Sequence, residues 1–347
     1  MNTLTSKTVL VVSVLLFFSV KSSLAVQTIT LMSHDSFNIS KSVIAAFEKE
    51  QGVKIRFLKS GDAGAALIQA ILSKENPIAD VFFGVDNTFF SRAIDADIFI
   101  PYDSPLLRDI PKELKLDPQN RLLPVDYGDV CLNYDKGWFK TNNLQPPTDL
   151  TDLIKPEYKG LTVVQNPATS SPGLAFLLAT VSRFGEDGYL EYWQQLRGNN
   201  VLVAGGWEDA YYGHFTAASK GDRPIVVSYA SSPPAEVHFS EKPLKEAPTG
   251  AVVSPNSAFR QIEFVGILKG TKHEALARKF IDFMLSPLFQ EDIPLQMFVF
   301  PANASAKLPE VFMKHAVIAE DPATLSPKTI EMKRDQFIEN WTNTVLR

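Results

Sequence analysis

The sequence has a single cysteine, Cys131, among its 347 residues. One thiol excludes an internal disulfide, and it also excludes a metal site built from several cysteine ligands. Cys131 lies in the mostly apolar segment VCLNY, which predicts a buried side chain that acts as a small hydrophobe.

The motifs of common catalytic sites are also missing. The sequence contains no G-x-S-x-G, no H-E-x-x-H, no phosphate-binding G-x-x-x-x-G-K-[ST] and no G-x-G-x-x-G. A hydrolase needs an activated nucleophile beside a base, and the histidines are scattered singly along the chain. We predict no catalytic residues, no metal ligands and no cofactor, and an exported hydrolase is the alternative from the enzyme class.

Long apolar runs are confined to the N-terminus. Residues 8–20 are apolar, but a bilayer-spanning helix needs about 20 such residues. Lys7 precedes this run, and Ser23 and Ala25 are small residues at the −3 and −1 positions of a cleavage site. This pattern predicts a signal peptide over residues 1–25 and a mature protein in the periplasm.

Positive charge is in deficit, because the formal net charge is −5 at pH 7. An acidic balance disfavours nucleic acid as a partner. A hydrophobic content of 45% is typical of a globular chain, and the length allows two domains. We expect a freely diffusing monomer that does not bind nucleic acid.

Strand-like and helix-like segments alternate after residue 26. The pattern β-α-β-α-β predicts a parallel sheet with right-handed crossovers, and a similar order recurs after residue 160. The predicted fold is therefore α/β, with two lobes and a ligand cleft between them. We assign residues 26–124 and about 256–305 to lobe 1, and residues 125–255 and about 306–347 to lobe 2, with residues 122–134 crossing between them.

Loops that follow strands carry the candidate binding residues, because ligands of open α/β sheets lie at the carboxyl ends of strands. Asp62 lies at a helix start, and Ser170 and Ser171 precede another helix, where they could hold an anion or simply cap the helix. Trp207 follows two glycines and Tyr229 ends a strand, so both could offer an aromatic face to a cation or could belong to the core.

Several segments in this order resemble the periplasmic thiamine-binding proteins of thiamine ABC importers. The most specific segments are VDYGDV, NPATSSPGL, GGWEDAY and SYASSP, and the resemblance covers nearly the whole chain after the signal peptide. The resemblance implies a type II periplasmic-binding fold. It also implies thiamine or a thiamine phosphate as the ligand and an inner-membrane ABC permease as the partner.

The resemblance places Asp62, Ser170, Trp207 and Tyr229 at positions that line the family's ligand site. The thiazolium ring of thiamine is permanently positive, so two aromatic faces and a carboxylate suit it. Together, loop position and resemblance predict the ligand-binding residues His34, Asp35, Asp62, Ser170, Ser171, Trp207, Tyr211, Tyr229 and Phe298.

Three positions depart from the family pattern. The family has tyrosine in place of His34, a second tyrosine in place of Ala235 and a tryptophan near Phe298. The loop that follows its first loop is several residues longer and contains a tryptophan that is absent here. Fewer aromatic faces leave other solutes open for the same fold. The alternatives are a phosphorylated compound, a small cation or ferric iron, the last suggested by the adjacent Tyr211 and Tyr212.

Overall fold

The computed structural model describes residues 26–347, so the predicted signal peptide and its cleavage site lie outside the described residues. Within the described range, no helix has both the length and the apolar character needed to cross a membrane.

Strands and helices alternate through most of the described chain. The strands are β1 (Thr28–Ser33), β2 (Lys54–Lys59), β3 (Val81–Asp86), β4 (Phe99–Ile100), β5 (Leu123–Asp135), β6 (Thr162–Gln165), β7 (Leu202–Ala204), β8 (Ile225–Tyr229), β9 (Thr249–Val252), β10 (Phe259–Leu268) and β11 (Phe300–Pro301). The α-helices are α1 (Lys41–Gln51), α2 (Ala63–Leu72), α3 (Phe90–Asp95), α4 (Lys136–Thr141), α5 (Ser171–Gly198), α6 (Pro233–His238), α7 (Glu274–Leu285), α8 (Pro287–Gln290), α9 (Ile293–Gln296), α10 (Glu310–His315) and α11 (Pro327–Val345).

Shorter helical turns complete the set. The 3₁₀ turns are Pro105–Asp109, Lys112–Leu114, Leu150–Ile154 and Pro156–Tyr158, and Asp209–His214 forms a turn of π-helix.

The strands form one mixed sheet in the order β2-β1-β3-β10-β5-β8-β6-β7. Strands β1, β2 and β3 are parallel, as are β6, β7 and β8, which agrees with the two predicted α/β units. Between them, β10 pairs antiparallel with both β3 and β5, and β5 pairs antiparallel with β8. The segment predicted to cross between the lobes therefore forms a long central strand.

Helix α1 follows the local signals in the sequence closely. Val43, Ile44 and Phe47 are buried on its inner face, and Gly52 ends the helix with φ +67°, a conformation that glycine adopts at little cost. Ser40 occupies the N-cap position, but its hydroxyl donates to Asp292 at 2.7 Å instead of capping α1. That contact ties α1 to the segment before α9.

Helix α2 presents a different face to the core from the one its apolar residues suggest. Leu67 is buried, whereas Ile68 and Leu72 are 41% and 81% exposed. The small residues Gly64 and Ala66 lie on the buried side, which lets the helix approach neighbouring backbone closely. The apolar side chains of α2 therefore do not all lie on its buried face.

The second half of the fold is organised around α5, a long helix with a kink at Gly185. Its residues 174–179 are fully buried, and Trp193 packs edge-on against Trp341 of α11 with ring centroids 5.5 Å apart. Cys131 on β5 is buried as predicted, and burial raises the pKa of its thiol well above the ordinary value. This thiol is consequently an unreactive core group.

Candidate ligand-binding site

A cavity of about 260 Å³, the central cavity, lies where loops from both halves of the fold meet. Small-ligand sites usually measure about 300–1,000 Å³, so this volume suits a compact molecule and not a polymer. The lining residues are His34, Ser36, Asn38, Lys59, Asp62, Ser171, Pro172, Trp207, Glu208, Tyr212, Tyr229, Phe239, Glu263, Gln296, Met297, Phe298 and Val299.

His34 follows β1 and is only 5% exposed. Its Nδ1 lies 3.1 Å from the Ser36 hydroxyl, and its Nε2 lies 3.3 Å from a carboxylate oxygen of Glu263. Burial acts to lower the pKa of His34, but the neighbouring Glu263 charge raises it, and the net shift is upward. His34 therefore forms a buried, charge-assisted contact with Glu263, which also lines the cavity.

Gly84 on β3 makes room for the His34 ring. Its φ is +107°, and a Cβ built there would lie 2.5 Å from His34 Cδ2. We expect Gly84→Ala to lower the free energy of unfolding by about 2 kcal/mol, because the backbone conformation and the clash are both unfavourable. Urea denaturation measures this change. The control is Gly198→Ala, where a Cβ has nothing within 4 Å and we expect no loss of stability; equal losses in both variants would contradict the steric argument.

Asp62 joins the two halves of the site. One carboxylate oxygen accepts from the backbone N–H of Ala63 at 2.6 Å and so caps α2, while the other accepts from the backbone N–H of Trp207 at 2.9 Å. Burial raises the pKa of Asp62. The carboxylate therefore positions the tryptophan loop across the cleft as well as contributing negative charge to the cavity.

Trp207 forms one aromatic wall, and its ring is held on two sides. The indole N–H donates to the Ser228 hydroxyl at 3.0 Å, and the ring stacks on Tyr211 with centroids 4.8 Å apart and an interplanar angle of 19°. The Tyr211 hydroxyl donates to Glu236. Tyr211 thus lies behind Trp207, and it is Tyr212 that lines the cavity. These contacts leave little freedom for the indole ring to rotate.

Tyr229 forms a second aromatic wall. Its hydroxyl donates to Gln261 Oε1 at 2.9 Å, and Gln261 Nε2 donates to the Ser171 hydroxyl at 2.7 Å. Ser171 lines the cavity at the N-terminus of α5, whereas Ser170 is fully buried and accepts from the Gly173 backbone N–H as the helix cap. One hydrogen-bonded chain therefore links the aromatic wall to the helix N-terminus.

Phe298 completes the side of the cavity near α9. It has φ +57°, which is rare for a bulky side chain, and such strained residues concentrate at functional sites. Its ring contacts Phe239 edge-on, with centroids 5.6 Å apart. Ala235, where the family has a second tyrosine, lies on α6 and is not among the cavity-lining residues.

The structure brings most of the predicted binding residues to the central cavity. His34, Asp62, Ser171, Trp207, Tyr229 and Phe298 line it, whereas Ser170 and Tyr211 lie behind it. Asp35 lines a neighbouring cavity, and its carboxylate accepts from the Gly61 backbone N–H at 2.9 Å.

Four lining residues of chemical interest were not selected from the sequence: Lys59, Glu208, Tyr212 and Glu263. A signal for Glu263 was available, because it is a carboxylate within the otherwise apolar run IEFVGIL. A charged residue in a strand with buried character needs a partner or a function.

The charge of the cavity is predominantly negative. Asp62, Glu208 and Glu263 line it, with Lys59 as the cationic side chain at the rim besides the titratable His34. Among residues 26–347, no three His, Cys, Asp or Glu side chains are arranged to hold a metal ion. Aromatic faces beside carboxylates form a site suited to an organic cation.

The profile of the family described as bacterial extracellular solute-binding protein matches residues 76–318. The thiamine-binding periplasmic protein of Salmonella typhimurium is 29% identical over 96% of this chain and 98% of its own length. That of Brucella suis is 30% identical over 91% of this chain and 92% of its own length. The resemblance drawn from the sequence segments is thereby confirmed.

A solved structure titled periplasmic thiamin binding protein superposes with a TM-score of 0.81 at 27% identity, covering 92% of this chain and 96% of that one. The predicted type II periplasmic-binding fold is confirmed by this match.

Proposed function

Given that this chain belongs to the family of bacterial extracellular solute-binding proteins, we propose that it is the thiamine receptor of an ABC importer. Its ligand is thiamine or a thiamine phosphate, as the names of its relatives suggest. The proposal includes export through the signal peptide, cleavage after Ala25, and delivery of the ligand to a permease in the inner membrane.

The observation that carries the proposal is the pair of aromatic walls in an acidic cavity. Trp207 and Tyr229 line the central cavity together with Asp62 and Glu263. A thiazolium ring has a fixed positive charge and a flat face, so it gains from π-faces and from carboxylates at the same time. A neutral sugar or an anion would gain neither the cation–π attraction nor the attraction to the carboxylate charges.

The opposite end of thiamine carries a hydroxyl or a phosphate, and the cavity has groups for it. Ser171 and Pro172 line the cavity at the N-terminus of α5, where the helix dipole favours an anion. Lys59 lies on the same cavity. A zwitterionic thiamine phosphate would therefore find complementary charge at both ends.

The proposed transport step is closure of the two lobes around the ligand. The two halves are joined by the antiparallel strands β5 and β10, which are the candidate hinge. A ligand stabilises the closed form only through contacts that it makes better there. We propose that the closed monomer, which performs no catalysis, docks on the permease.

The ferric-iron alternative finds less support in the geometry. Tyr211 is buried with its hydroxyl bonded to Glu236, while Tyr212 is 53% exposed. The two phenols therefore do not converge on one point of the central cavity.

Calorimetric titration of the exported protein with thiamine and its phosphates tests the proposal. We expect saturable binding of one ligand per chain and quenching of tryptophan fluorescence, because Trp207 is the one of four tryptophans that lines the cavity. A phosphorylated sugar serves as the comparison ligand. If that compound binds and thiamine does not, the fold assignment stands and the proposed ligand is wrong.

A further inference from the structure

Three carboxyl groups lie in a row beneath the central cavity. Glu263 on β10 is the register partner of Asp86 on β3 and of Asp126 on β5. Directly opposed residues of antiparallel strands project from the same face, with Cβ atoms about 5 Å apart. The relative exposures of Asp86, Asp126 and Glu263 are 0%, 1% and 6%, so this acidic row is buried, and only Glu263 lines the cavity.

The outer members of the acidic row differ in their hydrogen bonding. Asp86 accepts from the Thr88 hydroxyl at 2.7 Å and from the Phe89 backbone N–H at 3.2 Å. Neither carboxylate oxygen of Asp126 has a hydrogen-bond donor among the described residues. A buried carboxylate without a donor is costly, and a proton held between Asp126 and Glu263 would satisfy both groups at once.

The surroundings of Glu263 supply little positive charge to balance this row. Its one basic contact in the described part of the chain is His34 Nε2, at 3.3 Å. Burial, and then the Glu263 charge, raise the pKa of Asp126 well above the ordinary value. Burial raises the pKa of Asp86 to about 7. The charged or titratable groups around Glu263 are His34 of the β1 loop, Asp86 of β3, Asp126 of β5 and Tyr229 of β8. Lys59 of β2 and Asp62 before α2 line the same cavity.

We infer that Glu263 and Asp126 share one proton, that the pair selects a cationic ring in the central cavity, and that the proton passes to solvent when the ring binds. The inference rests on the proposed function, since thiamine supplies the cationic ring. Glu263 is then a specificity-determining residue that faces the ligand, and Asp126 is a positioning residue that acts through it.

The direction of the pH dependence follows from the charges. In the free protein the pair holds a proton, and a bound cation favours the ionised form and so lowers the pKa of the pair. Binding therefore releases protons, and affinity for the cation rises with pH. The affinity increases at most about tenfold per pH unit, and it stops increasing above the pKa of the pair in the free protein.

Calorimetric titration with thiamine counts the protons that are released on binding. The titrations are repeated in buffers of different ionisation enthalpy, between about pH 6 and about pH 8. We expect the wild type to release up to one proton per thiamine. Asp126→Asn should bind thiamine with an affinity that no longer rises with pH and should lose most of the proton release, because asparagine donates a hydrogen bond to an ionised Glu263. Glu263→Gln should weaken thiamine roughly tenfold and leave the neutral aminopyrimidine fragment of thiamine unaffected.

Unchanged proton release in Asp126→Asn would overturn the inference, because the proton would then come from His34 or Asp86. Equal thiamine affinity of Glu263→Gln and wild type would overturn it as well.

Infrared spectroscopy of the ligand-free protein tests the pair independently of the ligand. A protonated-carboxyl band should be present in the wild type at neutral pH and reduced in Asp126→Asn. Its absence in the wild type contradicts the shared proton even if thiamine proves not to be the ligand.

Discussion

Replacing Trp207 by alanine is expected to weaken thiamine binding about 100-fold, which corresponds to about 2.7 kcal/mol. In the proposed complex the indole face supplies a cation–π contact, worth up to about 2 kcal/mol when desolvated, and its loss also exposes apolar surface of the ligand to water. The backbone N–H of residue 207 still bonds to Asp62 in the variant, so the loop should keep its position. Calorimetric titration with thiamine measures the loss.

The matched control for this substitution is Trp138→Ala. Trp138 is half-buried against Phe139, with ring centroids 5.2 Å apart, and it is not among the residues that line the central cavity. We expect Trp138→Ala to change stability and to leave affinity within about twofold of the wild type. If both variants lose affinity equally, the effect of Trp207→Ala is not due to stacking. Full affinity in Trp207→Ala would remove this residue from the binding site.

The largest effect on stability is expected from Trp193→Ala, at about 4 kcal/mol. Trp193 is 1% exposed, and its ring packs edge-on against Phe176, with centroids 5.8 Å apart, and against Trp341. Its indole N–H donates to the Thr180 hydroxyl at 2.9 Å. Alanine leaves a cavity between α5 and α11 and removes a hydrogen bond from a buried hydroxyl, and both changes are costly.

Urea denaturation followed by circular dichroism measures this loss. Trp193→Phe is the conservative comparison, because phenylalanine keeps most of the buried volume. It should lose less than half as much stability as Trp193→Ala. Thiamine affinity per folded molecule should be unchanged in both variants, since Trp193 is not a cavity-lining residue. A loss below about 1 kcal/mol in Trp193→Ala would mean that the helices repack, contrary to our expectation.

The acidic row and the proposed hinge use the same two strands. Asp126 lies on β5 and Glu263 on β10, and these strands connect the halves of the fold. On the opposite face of β10, Arg260 makes two hydrogen bonds to Asp129, at 2.8 and 2.9 Å. The strand pair is therefore joined by an ion pair on one face and carries the carboxyl pair on the cavity face.

Local features of the structure could be predicted from the sequence alone. The bounds of α1 can be derived from the sequence because its apolar stripe and its terminal glycine act within a few residues of one another. The burial of Cys131 followed in the same way from its apolar neighbours. The parallel pairing of β1, β2 and β3 followed from the alternation of strands and helices, because short connections permit few topologies.

Features that depend on packing could not be predicted in this way. The π-helical turn at Asp209–His214 placed Tyr212 on the cavity and Tyr211 behind Trp207, and no local rule distinguishes two adjacent tyrosines. In α2, Leu72 is exposed because small residues face the core. Helical periodicity shows that one face is apolar, but the neighbouring elements decide which face is buried.

The sequence by itself therefore determined the class of the fold and six of the residues that line the central cavity. It also predicted the export signal. Those inferences rest on short-range patterns and on a resemblance spread along the chain. Only the tertiary structure decided that Glu263, Asp126 and His34 meet beneath the cavity. Glu263 and Asp126 lie on two strands far apart in the sequence, and His34 lies in the loop that follows a third strand. Their charges interact only because the sheet register and that loop place them close together in a buried, weakly screened environment.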